Sequence, residues 1–367
     1  FDEILSSFLI SSEIRKKIKK IKKDSKNFSN KNEIKTISKL SFELTKDQKK
    51  ALRDINNDIS SKNKMFRLLQ GDVGSGKTIV SLISALNVIE SGYQVAFMAP
   101  TEILAKQHYY LSKKIFPSTI KIEILSGKTE NLNKKIILDK VKNNKINIVF
   151  GTHSLFQKKI LFSNLGYIII DEQHKFGVKQ RKLLSDKGGR NCDVLLMSAT
   201  PIPRTLTMTL YGDMDLSIIR EKPKFRKEIK TYSKLESKIE DVIKFVKKEL
   251  KQGNQIFWVC PLIEESKKID HESVVKKFTY LKKIFPDAVG ILHGKVDQYE
   301  KEKILQDFLN KKYKILVSTT IIEVGIDFPN ANLIVIENAN KFGLSQLHQL
   351  RGRVGRGSKQ ASCILMF

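Results

Sequence analysis

The 367-residue chain is poor in the residues that staple small proteins or anchor them in lipid. It has only three cysteines, Cys192, Cys260 and Cys363, and they are too few and too scattered for a disulfide framework or a metal knuckle. Cys260 and Cys363 fall inside apolar, strand-like runs, so the thiols read as reduced core residues. The single tryptophan, Trp258, lies in the apolar run 256–259 and also reads as core. No apolar run approaches the ~18 residues of a membrane span, and no signal-peptide pattern is present. These absences predict a cytoplasmic protein with no membrane partner. Phe1 in place of a methionine, and an apolar run over 361–367 with no polar stop, predict a natural protein longer than this chain.

What the sequence does have is charge of one sign. The net charge is +28, and only 11 of the 67 basic residues are Arg. Such a surface suits a polyanion, because cationic side chains displace the counterions condensed on phosphate. A Lys, Ile and Asn excess also follows from an AT-rich coding bias, so charge alone does not decide the partner. With 41% hydrophobic and 29% charged residues, the composition is that of a globular protein long enough for two cores.

Residues 1–23 place apolar side chains at helical spacing and predict a basic amphipathic helix. Residues 24–39, rich in Lys, Asn and Ser, read as a mobile linker. From Phe42 onward, short apolar runs at 65–70, 94–99, 120–125, 146–150, 167–170 and 194–197 alternate with helix-length stretches. The rhythm restarts at 255–260, 288–292, 314–318 and 333–336. Alternation of this kind predicts parallel sheets covered on both faces, with a boundary near 220–226. The expected divisions are 1–40, 41–222 and 223–367.

Three clusters carry chemistry. Gly71, Asp72, Val73, Gly74, Ser75, Gly76, Lys77 and Thr78 form a Gly-x4-Gly-Lys-Thr loop between a predicted strand and a predicted helix. Its glycines allow backbone N–H groups to turn onto phosphates, with the helix dipole behind them. Lys77 is expected to reach the terminal phosphates and the Thr78 hydroxyl to hold Mg²⁺. A second apolar strand delivers Asp171 and Glu172 at its C-terminal edge, the first to ligate Mg²⁺ and the second to polarise the attacking water. Finally, Arg351, Arg353 and Arg356 concentrate three of the eleven arginines beside Gln349, and Arg353 or Arg356 is a candidate arginine finger.

These elements, in this order, resemble the superfamily 2 helicases over most of residues 42–360. The resemblance implies an α/β fold of two tandem RecA-like P-loop lobes, each a mostly parallel sheet with helices on both faces. It implies ATP and Mg²⁺ as cofactors and DNA, read with little sequence specificity, as partner. Phe42 and Gln48 resemble the adenine-reading segment. Ala99-Pro100-Thr101-Glu102 and Gly151-Thr152-His153 are similar to DNA-strand contacts, as are Thr319 and Thr320. Ser198-Ala199-Thr200 resembles the segment coupling hydrolysis to strand movement, and Gly325 and Asp327 fall where the family touches nucleotide and strand. Closer still, Asp171-Glu172-Gln173-His174-Lys175-Phe176-Gly177, Ser198-Ala199-Thr200-Pro201-Ile202-Pro203-Arg204 and the stretch from Gly343 to Gly357 resemble the RecG family. The related Mfd motors typically carry Asp-Glu-Glu-Gln where this chain has Asp171-Glu172-Gln173-His174. The RecG likeness implies a monomeric, nucleoid-associated bacterial translocase on duplex or branched DNA, in recombination and repair, with single-stranded-DNA-binding protein as a further partner. It also implies a junction-splitting wedge domain before residue 1 and a translocation element after residue 367. The alternatives are an Mfd-like motor, or a core that binds DNA without productive unwinding. His153, His174 and His293 read as structural hydrogen-bonding groups.

Overall fold

A computed structural model describes residues 22–125, 131–152, 155, 160–171, 189–198, 214–221, 227–261, 267–294, 296–319, 326–355, 357 and 359–367. The predicted helix over 1–23 therefore lies almost wholly outside the described residues. The chain divides into two compact units, Phe1–Pro223 and Lys224–Phe367.

Unit 1 holds a seven-stranded sheet in which every pairing is parallel. Its strands are β1 (Phe66–Gly71), β2 (Gln94–Met98), β3 (Ile122–Leu125), β4 (Ile148–Gly151), β5 (Leu165–Ile170), β6 (Asp193–Ser198) and β7 (Asp215–Ile219), in the order β3-β4-β2-β5-β6-β1-β7. The helices among the described residues of unit 1 are α1 (Lys31–Ser38), α2 (Lys46–Ser60), α3 (Lys77–Glu90), α4 (Glu102–Ile115) and α5 (Asn131–Lys142). The central strands are apolar at nearly every position because both faces are covered. Leu69, Phe97, Ile169 and Met197 enter one core with α2 and α3, while Leu68, Met98, Ile170 and Leu196 enter the other. This two-sided burial is why the sequence shows runs rather than alternation.

Unit 2 repeats the plan. Six parallel strands, β8 (Lys230–Lys234), β9 (Gln255–Val259), β10 (Val289–Leu292), β11 (Ile315–Ser318), β12 (Ala331–Ile336) and β13 (Ser362–Met366), run in the order β10-β11-β9-β12-β13-β8. Helices α6 (Ile239–Lys251), α7 (Lys267–Ile284), α8 (Gln298–Leu309) and α9 (Leu344–Arg351) complete it. Trp258 is fully buried beside Val246 and Val317, as the sequence implied. On the opposite face Phe257, Phe308 and Phe328 meet with ring centroids 5.1–5.5 Å apart.

The expected linker over 24–39 is a correction. Its described residues are docked on unit 1, and 31–38 form α1. Lys23 and Lys26 both reach Asp193 Oδ2, at 2.5 and 2.7 Å, with both ammonium side chains and the carboxylate shut off from solvent. Asp193 Oδ1 accepts from the Met65 N–H at 2.8 Å. Lys23 also donates to the Asp58 and Ile59 carbonyls, and Lys26 to that of Asn191. Further along, Glu33 accepts from Asn56 and Asn87, and Ser91 donates to the Asn27 carbonyl. A polar segment without clear apolar periodicity is thus ordered by buried ion pairs together with Phe28 and Ile37, which pack against the unit 1 core.

Among the described residues no helix is long and apolar enough to cross a membrane. All three thiols are free and buried. Burial, reinforced by the nearby Asp193 charge, pushes Cys192 up to about 12. Burial pushes Cys363 up to about 12 as well, and raises Cys260 further.

Two outcomes are expected. At pH 8 the thiols of the folded protein should resist a colorimetric thiol reagent, and all three should react once the chain is denatured. Asp193→Ala should lower the unfolding free energy by about 3–5 kcal/mol, measured by urea denaturation, because it strands two buried ammonium groups.

Candidate nucleotide site

Strand β1 runs between β6 and β7 and releases the chain at Gly71 into the loop 72–76, after which α3 begins. Gly74 and Gly76 have φ of +77° and +87°, left-handed values that a side chain resists. A Cβ on Gly76 would also strike the Gln48 carboxamide, and one on Gly71 would lie 2.5 Å from Ser75 Oγ. The loop is held by its own polar atoms. Asp72 accepts from the Val73 N–H at 2.7 Å through its carboxylate and from the Ser75 N–H at 3.0 Å through its carbonyl. Lys77 Nζ donates to the carbonyls of Gly71 and Asp72, at 2.7 and 3.1 Å. Ser75 Oγ is buried and has no hydrogen-bond partner among the described residues.

Gln48 serves the loop directly. Its Oε1 accepts from the Thr45 N–H at 2.9 Å in a reciprocal cap of α2, and its Nε2 donates to the Ser75 carbonyl at 2.7 Å. The side chain expected to read a base braces the loop 72–76 in this structure. Phe42 is half-buried and packs against the same core.

The parallel ladder brings the other candidates to the same edge. Gln70 on β1 pairs with Ser198 on β6, and Ile170 on β5 pairs with Leu196 on β6. Asp171, Ser198 and Gly71 therefore end three adjacent strands, with Asp171 and the loop about 10 Å apart by two strand spacings. Asp171 is 6% exposed, and its N–H donates to the Met98 carbonyl at 2.9 Å. One more residue joins it: His108 Nε2, on α4, lies 2.9 Å from Asp171 Oδ2. Sequence reasoning passed over His108. Its signal was its place in the core-facing stripe of α4, with Leu104, Ser112 and Ile115, one step beyond an Ala99-Pro100-Thr101 strand end.

Ala99 continues the edge, its N–H donating to the Gly151 carbonyl at 2.9 Å. The Thr101 hydroxyl caps α4 by accepting from the Leu104 N–H, whereas Pro100 and Thr152 are partly exposed. Gly151 has no room for a side chain, since a Cβ would lie 2.8 Å from the Leu125 carbonyl oxygen.

In unit 2, β11 ends at Ser318 and leads into Thr319, both buried with hydroxyls lacking hydrogen-bond partners among the described residues. Asp327 is exposed, Gln349 on α9 is half-buried and Arg353 is only 2% exposed. Gly355, at φ +72°, donates its N–H to the Ala331 carbonyl and anchors the turn behind them. Glu172, Ala199, Thr200, Thr320, Gly325 and Arg356, together with His153 and His174, lie outside the described residues.

The unpartnered Ser75 hydroxyl, the left-handed glycines and the Lys77 ammonium form a cradle that fits a phosphate. Among the described residues no group of three or more His, Cys, Asp or Glu could hold a metal alone. Mg²⁺ takes one or two protein oxygens plus phosphate and water. Thr78 and Asp171 are the residues that would supply those protein oxygens.

Residues 45–209 match the DEAD/DEAH box helicase family, and residues 237–358 match the helicase conserved C-terminal domain. Fold, loop and both matches define a two-lobe helicase core. The ATP-dependent DNA helicase RecG of Aquifex aeolicus is 50% identical over 355 residues, which is 96% of this chain and 45% of that protein. That of Thermotoga maritima is 49% identical over 333 residues, 90% of this chain and 43% of that protein. A solved RecG bound to a three-way DNA junction superposes with TM-score 0.88 at 43% identity, covering all of this chain and 48% of that one. The chain belongs to the RecG family, and it spans about half the length of the curated relatives it matches.

Removing the Gln48 carboxamide should be felt before any nucleotide binds. Gln48→Ala is expected to lower stability by about 1–2 kcal/mol in thermal denaturation of the nucleotide-free protein, through loss of the cap and of the bond to Ser75.

Proposed function

We propose that this chain is the ATP-hydrolysing motor of a RecG-type DNA helicase that translocates on duplex or branched DNA and remodels junctions in recombination and repair. The observation that carries the reading is the adjacency of the Gly71–Thr78 loop, Ser198 and Asp171 on one edge of the unit 1 sheet. Proteins named ATP-dependent DNA helicase RecG are its relatives across that whole edge.

On this reading the loop N–H groups of 71–78 and Lys77 grip the phosphates, and Phe42 and Gln48 border the base. Thr78 and Asp171 hold Mg²⁺, which when bound neutralises charge developing between the transferred phosphoryl group and its leaving group. Glu172 orients the attacking water. For Gln349, Arg353 and Arg356 the proposed role is catalytic, and for Gly325 and Asp327 it is nucleotide binding. Pro100, Thr101, Gly151, Thr152, Thr319 and Thr320 contact the DNA backbone, which gives grip without base specificity. Ser198, Ala199 and Thr200 relay between the two because Ser198 ends the strand between loop and carboxylate. A net charge of +28 favours the polyanionic track. We further propose a monomer in the bacterial cytoplasm, associated with the nucleoid and in contact with single-stranded-DNA-binding protein.

ATP turnover should rise on addition of duplex or branched DNA and fall roughly 100-fold or more in Lys77→Ala, by analogy with loss of one transition-state donor. Unchanged turnover in that variant overturns the assignment.

A further inference from the structure

We propose that His108 is a positioning residue that fixes the rotation of the Asp171 carboxylate and ties it to the helix beginning at the Pro100–Thr101 segment. The inference rests on the reading of Asp171 as the Mg²⁺ ligand. An ionised carboxylate only accepts hydrogen bonds, so His108 Nε2 carries the hydrogen and donates to Asp171 Oδ2 across 2.9 Å. Both residues are 6% exposed, so water does not compete effectively for either. With one carboxylate oxygen held, the direction of the other is set.

The imidazole is itself held. Its ring packs on Phe97 with centroids 4.8 Å apart, and Phe97 packs on Phe150 at 5.1 Å, so strands β2 and β4 fix its plane. The Ser112 hydroxyl donates to the His108 carbonyl at 2.7 Å on the same helix. His108 is seven residues beyond Thr101, two turns or about 10 Å along a rigid element. The arrangement matches the outer partners of metal sites, whose loss typically costs 10–100-fold in metal affinity.

The test is equilibrium binding of a fluorescent ATP analogue across a Mg²⁺ titration, without DNA and without reading turnover. His108→Met, similar in bulk but with no donor, should raise the half-saturating Mg²⁺ concentration about 10-fold or more. His108→Gln, which retains an N–H near the Nε2 position, should stay close to the parent. All three proteins should bind the analogue equally in EDTA. Asp171→Asn supplies the control and should shift the Mg²⁺ dependence at least as far as His108→Met. If Asp171→Asn shifts it and His108→Met does not, or if the Met and Gln variants shift alike, the positioning role is overturned and the metal reading stands. If Asp171→Asn leaves it unmoved, the metal reading falls and this inference with it. Should His108→Met not fold, His108→Asn, polar but one methylene too short, replaces it with the same outcomes.

Discussion

Parallel hydrogen bonding between β5, β6 and β1 is the constraint from which the rest of unit 1 follows. A parallel ladder requires every strand to end at the same edge, so residues far apart in sequence arrive side by side. Asp171 and Gly71 are a hundred positions apart and meet across one intervening strand. The same ladder requires a crossover between each pair of strands, and these crossovers cover both faces and bury the strands. That burial makes the strands apolar and moves polar chemistry to their ends. Ser198, at the end of the intervening strand, pairs with Gln70 beside the loop.

The opposite end of β6 is anchored with equal economy. Asp193 opens that strand and takes two ammonium groups and a backbone N–H, while Glu33 and Ser91 fasten the same N-terminal segment to α2 and α3. Helix α3 carries Lys77 at its start and Asn87, bonded to Glu33, near its end. One polar strap therefore fixes the far ends of both α3 and the strand that delivers Ser198. The strap lies outside the helicase family match, which begins at residue 45. Desolvation of two cations is costly, and it is sustainable here because Lys23 and Lys26 also donate to carbonyls of the docking surface.

Periodicity revealed the buried strands because their burial is two-sided, and the loop because its glycines are conformationally required. It could not reveal β8, Lys-Thr-Tyr-Ser-Lys at residues 230–234, which is an edge strand exposed at every position. Such a strand is defined by pairing with β13 alone, and its lysines protect the edge rather than mark it. β7 escaped for a related reason, with only partial burial at the other sheet's edge. The strap was misread because ion pairs have no period. Gln48 and His108 share a different difficulty. Each bonds across about 27 and 63 positions of chain, to Ser75 and Asp171, and no local pattern encodes a partner at that separation.

The loop 71–78 keeps its lysine paired without a ligand. A buried ammonium must always have acceptors, and Lys77 finds them in the carbonyls of Gly71 and Asp72. These are neutral acceptors, and bonds to an anionic oxygen are roughly twice as strong. On the reading proposed above, a phosphate would offer Lys77 an anionic oxygen, and the left-handed glycines keep side chains out of its path. Gln48 holds the Ser75 carbonyl, which leaves the loop N–H groups and the lysine as the groups that would meet a phosphate. On the same reading the helix dipole of α3 adds to the attraction of the loop for an anion.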